Sequence, residues 1–237
     1  MALILEYLPR DSSAQSHAFE EAVRRLAGRI ASKAQPLKLL DLGCGRADSY
    51  ERFKQAGMQL SWLGLEIGDS PEARGGVVGE ATFQVYDGRK IPYPAETFDA
   101  VYSRQVFEHV WYPRELIGEV SRVLKKAGIF VGSCSALEPF HSRSVCNFTP
   151  YGFATLLRDA GLSEICIRPG VDGLFLIARR LAGLAGIAPG SWLFVGESPL
   201  NLFLETVSRI MGFEARRRAA LKLLFCGHFV FSAVKGA

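Results

Sequence analysis

Apolar residues recur along this chain in two rhythms, and the order in which the rhythms alternate predicts its elements. Short, nearly continuous apolar runs stand at residues 37–42, 60–66, 83–86, 98–103, 128–133, 164–168 and 228–235, each the length of a buried strand and too short for a surface helix. Between them lie segments with apolar residues three and four apart. Residues 16–33 carry Phe19, Val23, Leu26 and Ile30 on one stripe, and residues 113–126 turn Leu116, Val120, Val123 and Leu124 inward. Residues 46–56 are amphipathic, and residues 149–160 have Thr149 as N-cap, Pro150 at the first helical position and Gly161 just past the end. Strands alternating with helices predict an α/β sheet with helices on both faces.

The densest chemistry follows the first strand, where Leu39-Leu40-Asp41 runs into Leu42-Gly43-Cys44-Gly45. Gly43 and Gly45 permit positive φ and close approach of a ligand to the main chain, and an amphipathic helix starts at once. Strand, glycine turn and helix N-terminus in that order form the nucleotide-binding end of a Rossmann-like βαβ unit. Dinucleotide-binding turns of this kind have a third glycine, whereas Asp48 occupies that position here and Asp41 precedes the first. A carboxylate at the strand tip repels a pyrophosphate and suits a cationic ligand.

The segment Asp41-Leu42-Gly43-Cys44-Gly45 resembles the first motif of the class I S-adenosylmethionine (SAM) dependent methyltransferases, with Ala47 where a further glycine is common. Three later segments carry the resemblance further. Leu60-Ser61-Trp62-Leu63-Gly64-Leu65-Glu66 places an acid at the end of a second strand, and the resemblance implies that Glu66 binds both ribose hydroxyls. Phe83-Gln84-Val85-Tyr86-Asp87-Gly88 implies that Asp87 takes the adenine amino group, with Gly88 beside it. The run Thr97-Phe98-Asp99-Ala100-Val101-Tyr102-Ser103-Arg104-Gln105-Val106-Phe107-Glu108-His109-Val110 resembles the fourth-strand motif of the type 11 subfamily. Cys44 and Ser103 complete the implied cofactor set, and S-adenosyl-L-homocysteine is the implied product. Asp99, just inside its strand, reads as a tie to backbone rather than a ligand.

The fold expected is a Rossmann-like, seven-stranded, mostly parallel sheet with an antiparallel last strand and helices on both faces, in a single domain over residues 1–237. The family's last two strands form a hairpin with a short connection. Here about sixty residues separate them, far more than an ordinary loop. Residues 173–183 and 199–224 have helical spacing with Pro189-Gly190 between them, so residues 171–226 read as a helical insertion or cap. Charge concentrates there: residues 171–237 hold eight Lys or Arg against four Asp or Glu, a surplus equal to the chain's net +4. The uncharged run 181–196 is too short to cross a bilayer, which takes roughly 20 residues. Trp192, Leu193, Phe194 and Arg216-Arg217-Arg218 are suited to resting on an anionic membrane surface, clamping a phosphate, or packing as a cap over the site.

Methyl transfer to a hydroxyl needs alignment, exclusion of water and a base. His109, just after the fourth strand, and His141, in the loop after the fifth, are the candidates for proton transfer or orientation. Members that methylate quinone precursors have an additional acid three residues before the position of Glu108; Gln105 stands there, so no metal is expected. The stretch from Glu138 to Gly152 resembles segments of members that act on glycans and secondary metabolites. It implies a hydroxylated small-molecule acceptor, sugar-like or lipid-linked, with N- or C-methylation and a catalytically silent binding protein as alternatives. Nucleic acid is disfavoured, because Ser103-Arg104-Gln105-Val106 lacks the prolines and aromatic that hold a flipped base. Five cysteines without CxxC pairing suggest a reducing, cytoplasmic setting, and Glu6 and the absence of a basic start argue against a signal peptide.

Overall fold

The computed structural model describes residues 2–31, 35–71, 81, 83–138, 142–184 and 197–236. Seven strands form one sheet: β1 (Leu37–Leu42), β2 (Leu60–Ile67), β3 (Phe83–Tyr86), β4 (Phe98–Arg104), β5 (Leu124–Ser135), β6 (Leu162–Pro169) and β7 (His228–Lys235). Their spatial order is β3-β2-β1-β4-β5-β7-β6. The pairs β1–β2, β1–β4, β2–β3 and β4–β5 are parallel, and β7 runs antiparallel between β5 and β6. The expected sheet is therefore present, with its antiparallel strand inserted between the fifth and sixth.

Period-two alternation divides the core between the two faces of the sheet. Leu39, Ala100, Tyr102, Ile129 and Val131 face α1 (Ala18–Ala31) and α2 (Asp48–Gln55). Their neighbours Leu40, Val101 and Phe130 face α3 (Pro113–Val123), α4 (Pro150–Asp159) and α7 (Ala215–Leu224). Asp99 ties backbone as expected: its Oδ2 accepts from the Lys38 amide at 2.9 Å and its Oδ1 from Lys125 Nζ at 3.0 Å. The α4 cap forms as read, with Thr149 Oγ1 accepting from the Gly152 amide at 3.0 Å.

Four readings change. The stripe of α1 is rotated, so that Ala18, Ala22 and Leu26 are buried and Phe19, Val23 and Ile30 pack at its margin. Helix α3 stops at Val123 rather than near residue 126, and Lys125 to Gly128 lies inside β5 as an irregularity, with Ala127 at φ 57°. Residues 199–224 are two helices, α6 (Pro199–Ile210) and α7, because Gly212 takes φ 71° and breaks the run. With α5 (Gly173–Leu184) they are the described helices between β6 and β7, the segment read as an insertion. The basic run 216–218 is not one solvated face: Arg218 donates to Glu205 Oε1 at 3.0 Å and to Ser13 Oγ at 3.1 Å, inside a network that also holds fully buried Lys222. Pro189-Gly190 and Trp192 to Phe194 lie outside the described residues. Among the described residues no helix is long and apolar enough to cross a membrane.

Candidate active site

The carboxyl ends of β1, β2 and β3 open onto a cavity of about 970 Å³, within the range of small-molecule sites. The turn after β1 is built by close packing. Gly43 has φ 71°, and a Cβ there would stand 2.3 Å from Val106 Cγ2, so both the conformation and the space require glycine. The Gly43 and Cys44 amides donate to the Leu65 carbonyl at 2.8 and 3.1 Å, fastening the turn to β2. Glu66, buried at the end of β2, accepts from the Gly45 amide at 2.6 Å and the Ile67 amide at 2.9 Å. Ala47 is also left-handed, at φ 65°, and precedes α2 without a side-chain cap.

Asp41 is buried under this turn and accepts from the Ser49 hydroxyl in the first turn of α2. Burial pushes its carboxyl up to about 7, against the opposing pull of Ser49 and Arg104 and with the Glu66 charge adding to the rise. Asp87 is exposed and accepts from the Arg89 and Lys90 amides at 2.8 Å each, which hold it below the usual carboxylate range. Three carboxylates at three strand ends offer acceptors and negative charge. That set matches a ligand with a cationic end, a diol and an amine, and it opposes a pyrophosphate.

The other side of the cavity comes from β4, β5, β7 and the insertion. His109 lines it from a 3-10 turn, Phe107–His109. That turn is fixed by Glu108, whose Oε1 accepts from Ser135 Oγ at 3.1 Å and whose carbonyl accepts from the Val145 amide at 2.7 Å. Gln105, at φ 56°, donates to Ser133 Oγ at 3.2 Å and accepts from Ser135 Oγ at 2.9 Å, bridging β4 to β5. Among the described residues no group of His, Cys, Asp and Glu is arranged to hold a metal ion. Across the rim, Arg143 and Asp69 meet at 2.6 Å, an exposed pair of small energetic weight.

Deeper on this side, buried Glu138 gathers three partners. His228 Nε2 lies 2.5 Å from its Oε2, while Arg180 and Arg179 donate to Oε1 at 2.7 and 3.1 Å. Glu138, Arg179 and His228 all line the cavity. The two guanidinium groups favour the ionised carboxylate, and the carboxylate in turn fixes the His228 ring through one nitrogen.

Of the residues expected from sequence, Asp41, Gly43, Cys44, Gly45, Glu66, Asp87, Gly88 and His109 line this one cavity. Ser103 does not. It is fully buried, and its parity on β4 matches Val101, facing away from the Tyr102 side, which lines the cavity. Its carbonyl is crowded by β5, where a Cβ on Gly132 would come within 2.0 Å. Helix α1 contributes no lining residue because it packs on the sheet face. His141 lies outside the described residues. Sequence reasoning missed the Glu138–His228 pair; the only available signal was a histidine opening the final strand.

A profile of the family described as methyltransferase domain matches residues 40–132. The chain is 29% identical over 124 residues to 27-O-demethylrifamycin SV methyltransferase of Amycolatopsis mediterranei, covering 48% of this chain and 45% of that protein. It is 33% identical over 129 residues to a sterol 24-C-methyltransferase of Gibberella zeae, covering 49% of this chain and 33% of that one. The chain thus spans less than half the length of either relative. Phosphoethanolamine N-methyltransferase 2 of Haemonchus contortus, solved with S-adenosyl-L-methionine, superposes with a TM-score of 0.56 at 15% identity, covering 92% of this chain and 53% of that one. Residues 40–132 thus match the methyltransferase-domain family, and the order and direction of the strands are those of a Rossmann-like methyltransferase fold.

Proposed function

We propose that this protein transfers a methyl group from SAM to a hydroxyl of a small-molecule acceptor. The observation that carries the reading is the cavity itself, which joins a glycine turn with three carboxylates to a histidine held by a buried glutamate. Bound in the turn, SAM supplies an electrophilic methyl on a sulfonium, whose positive charge is lost on transfer. Glu66 has lone pairs beyond the two backbone bonds it already accepts and is assigned to the ribose hydroxyls; Asp87 is assigned to the adenine amine, and Asp41 to the cationic end. His228 takes the acceptor's proton through the nitrogen not engaged by Glu138, and the carboxylate stabilises the imidazolium that results. His109 lines the same cavity and orients the acceptor. The free cysteines, and a chain with no membrane-crossing helix among its described residues, fit a cytoplasmic setting.

The test has two stages. Melting temperature with SAM, S-adenosylhomocysteine and NAD should rise with the first two only, since a ligand that binds the folded form raises apparent stability. Release of S-adenosylhomocysteine, followed over a panel of sugars, phenols and sterols, should then depend on a free hydroxyl. Similarity to a sterol 24-C-methyltransferase favours a second reading, methylation at carbon. Mass spectrometry and NMR of the product separate the two. Melting that responds to NAD alone would overturn both.

A further inference from the structure

Beside Asp41 the cavity holds a cation that the fold leaves uncommitted. Arg104 is the last residue of β4, where it shares a face with Tyr102, as Asp41 does with Leu39 in β1. Asp41 pairs with Tyr102 across the two strands, so Asp41, Tyr102 and Arg104 stand together on the α2 side of the sheet. All three line the cavity. Burial raises the Asp41 carboxyl and the Arg104 charge is among the groups that draw it back, so the two charges interact. Arg104 itself is exposed, and no hydrogen bond or ion pair joins it to another described residue.

Other guanidinium groups around the cavity are already engaged. Arg179 donates to Glu138, Arg143 meets Asp69, and Arg89 lies 4.0 Å from the Tyr112 ring centroid with Glu115 3.6 Å away. The first turn of α2, joined to Asp41 through Ser49, adds a second positive feature. Helix α2 opens at Ala47 with no side-chain cap, and Asp48 and Ser49 line the cavity. An uncapped helix N-terminus favours a bound anion. The ligand assigned to this site brings one. The methionyl end of SAM carries a carboxylate on the same carbon as its ammonium, and Asp41, Glu66 and Asp87 can only repel it. A zwitterion seated on Asp41 needs a cation within reach of that acid, and Arg104 is so placed.

We propose that Arg104 binds the carboxylate of the SAM methionyl group while Asp41 takes its ammonium, so that the ends of β4 and β1 together clamp the zwitterion. This rests on the transferase reading and assigns the recognition of one end of its cofactor. The guanidinium fork offers two parallel donors to a carboxylate, which orients the methionyl chain and with it the sulfonium that the chain carries. Arg104 acts by binding alone, because its guanidinium stays protonated at any working pH and moves no proton. The clamp selects for the intact amino acid end among adenosyl compounds that share the ribose and adenine.

Calorimetric titration of the full-length chain with three ligands separates this role from a general electrostatic one. Decarboxylated SAM keeps the sulfonium and the ammonium and lacks only the carboxylate, whereas methylthioadenosine lacks the whole amino acid end. Wild type should bind SAM about tenfold or more tightly than decarboxylated SAM. Arg104→Met should weaken SAM by about tenfold or more and leave decarboxylated SAM and methylthioadenosine within about twofold, so that the discrimination disappears. Arg104→Lys, which keeps the charge without the fork, should weaken SAM severalfold, and it carries the test if circular dichroism shows that the Met variant does not fold. Wild type that binds SAM and decarboxylated SAM equally overturns the proposal, as does unchanged SAM affinity in the folded variants. Equal weakening of SAM and decarboxylated SAM overturns it by assigning Arg104 to the ionisation of Asp41, and equal weakening of all three ligands by assigning it to the shape of the turn. In each of these outcomes SAM is still bound by the wild type and the transferase reading stands. Wild type that binds none of the three removes both.

Discussion

The two walls of the cavity are built by different rules. The wall proposed to hold the cofactor draws on residues 41–48, 66 and 87, each at or just after the end of a strand and each fixed mainly by its own turn: Glu66 by the Gly45 and Ile67 amides, Asp87 by the Arg89 and Lys90 amides. The wall proposed to face the acceptor joins Glu138 after β5, Arg179 and Arg180 on α5 and His228 at the start of β7, positions up to 90 residues apart. A turn specifies its site locally, by glycine and a short carboxylate. A wall made of side chains from three distant segments exists only once the insertion has packed. The cofactor wall should therefore answer to changes in binding, and the acceptor wall to changes in turnover.

The sharpest way to break that division is His228→Asn, which should lower kcat by about a hundredfold or more while leaving SAM affinity within about twofold. Glu138→Gln should act in the same direction. Stopped turnover with lost SAM affinity in His228→Asn would show that the two walls are not separable.

Next in size, Glu66→Ala should weaken SAM binding roughly ten- to a hundredfold in calorimetric titration, by removing a charge-assisted contact worth about 1.5–3 kcal/mol. Melting of the empty protein should move much less. Unchanged affinity would remove the ribose assignment.

Asp41 gives a smaller, pH-dependent effect. Its carboxyl is held near 7 by burial, so in the empty site below that pH it is mostly protonated. A cationic ligand favours the ionised form, and binding should expel a proton. SAM affinity should then rise about fivefold from about pH 6 to about pH 7, reach about tenfold by about pH 8 and level off above, with proton release visible by calorimetry in buffers of different ionisation enthalpy. Asp41→Asn should flatten the profile. For the empty protein the sign reverses: stability contributed by neutral Asp41 is complete below about pH 4 and is lost as pH rises through about 7.

The smallest effect tests the turn itself. Ala47 sits at φ 65°, a conformation that costs a residue with a Cβ on the order of 1 kcal/mol. Ala47→Gly should relieve that strain and raise the melting temperature by a few degrees at most, offset by the greater entropy of glycine in the unfolded chain. A clear loss of stability would mean that the Ala47 methyl is needed for packing.

Much of the fold was legible because its determinants are local. The ends of β1 and β7 were read to the residue, and the α4 cap was read from Thr149, Pro150 and Gly161, since apolar period and cap chemistry act within a few residues. The end of α3 was misread because Leu124 looks helical by spacing but pairs with Phe98 across the sheet. The split of 199–224 was missed because Gly212 is one residue in an otherwise continuous apolar pattern. Ser103 was placed in the site by motif, whereas parity on β4 turns it to the opposite face.

By itself, then, the sequence determined the order of strands and helices and the carboxylates and glycines that gather at one end of the cavity, because those follow from hydrogen bonding and backbone freedom within single turns. Only the tertiary structure decided which histidine meets a buried carboxylate, which arginines are internal and which helix faces stay bare. Those outcomes depend on contacts between segments far apart in the chain, set by how the insertion packs on the sheet and carried by no local pattern of residues.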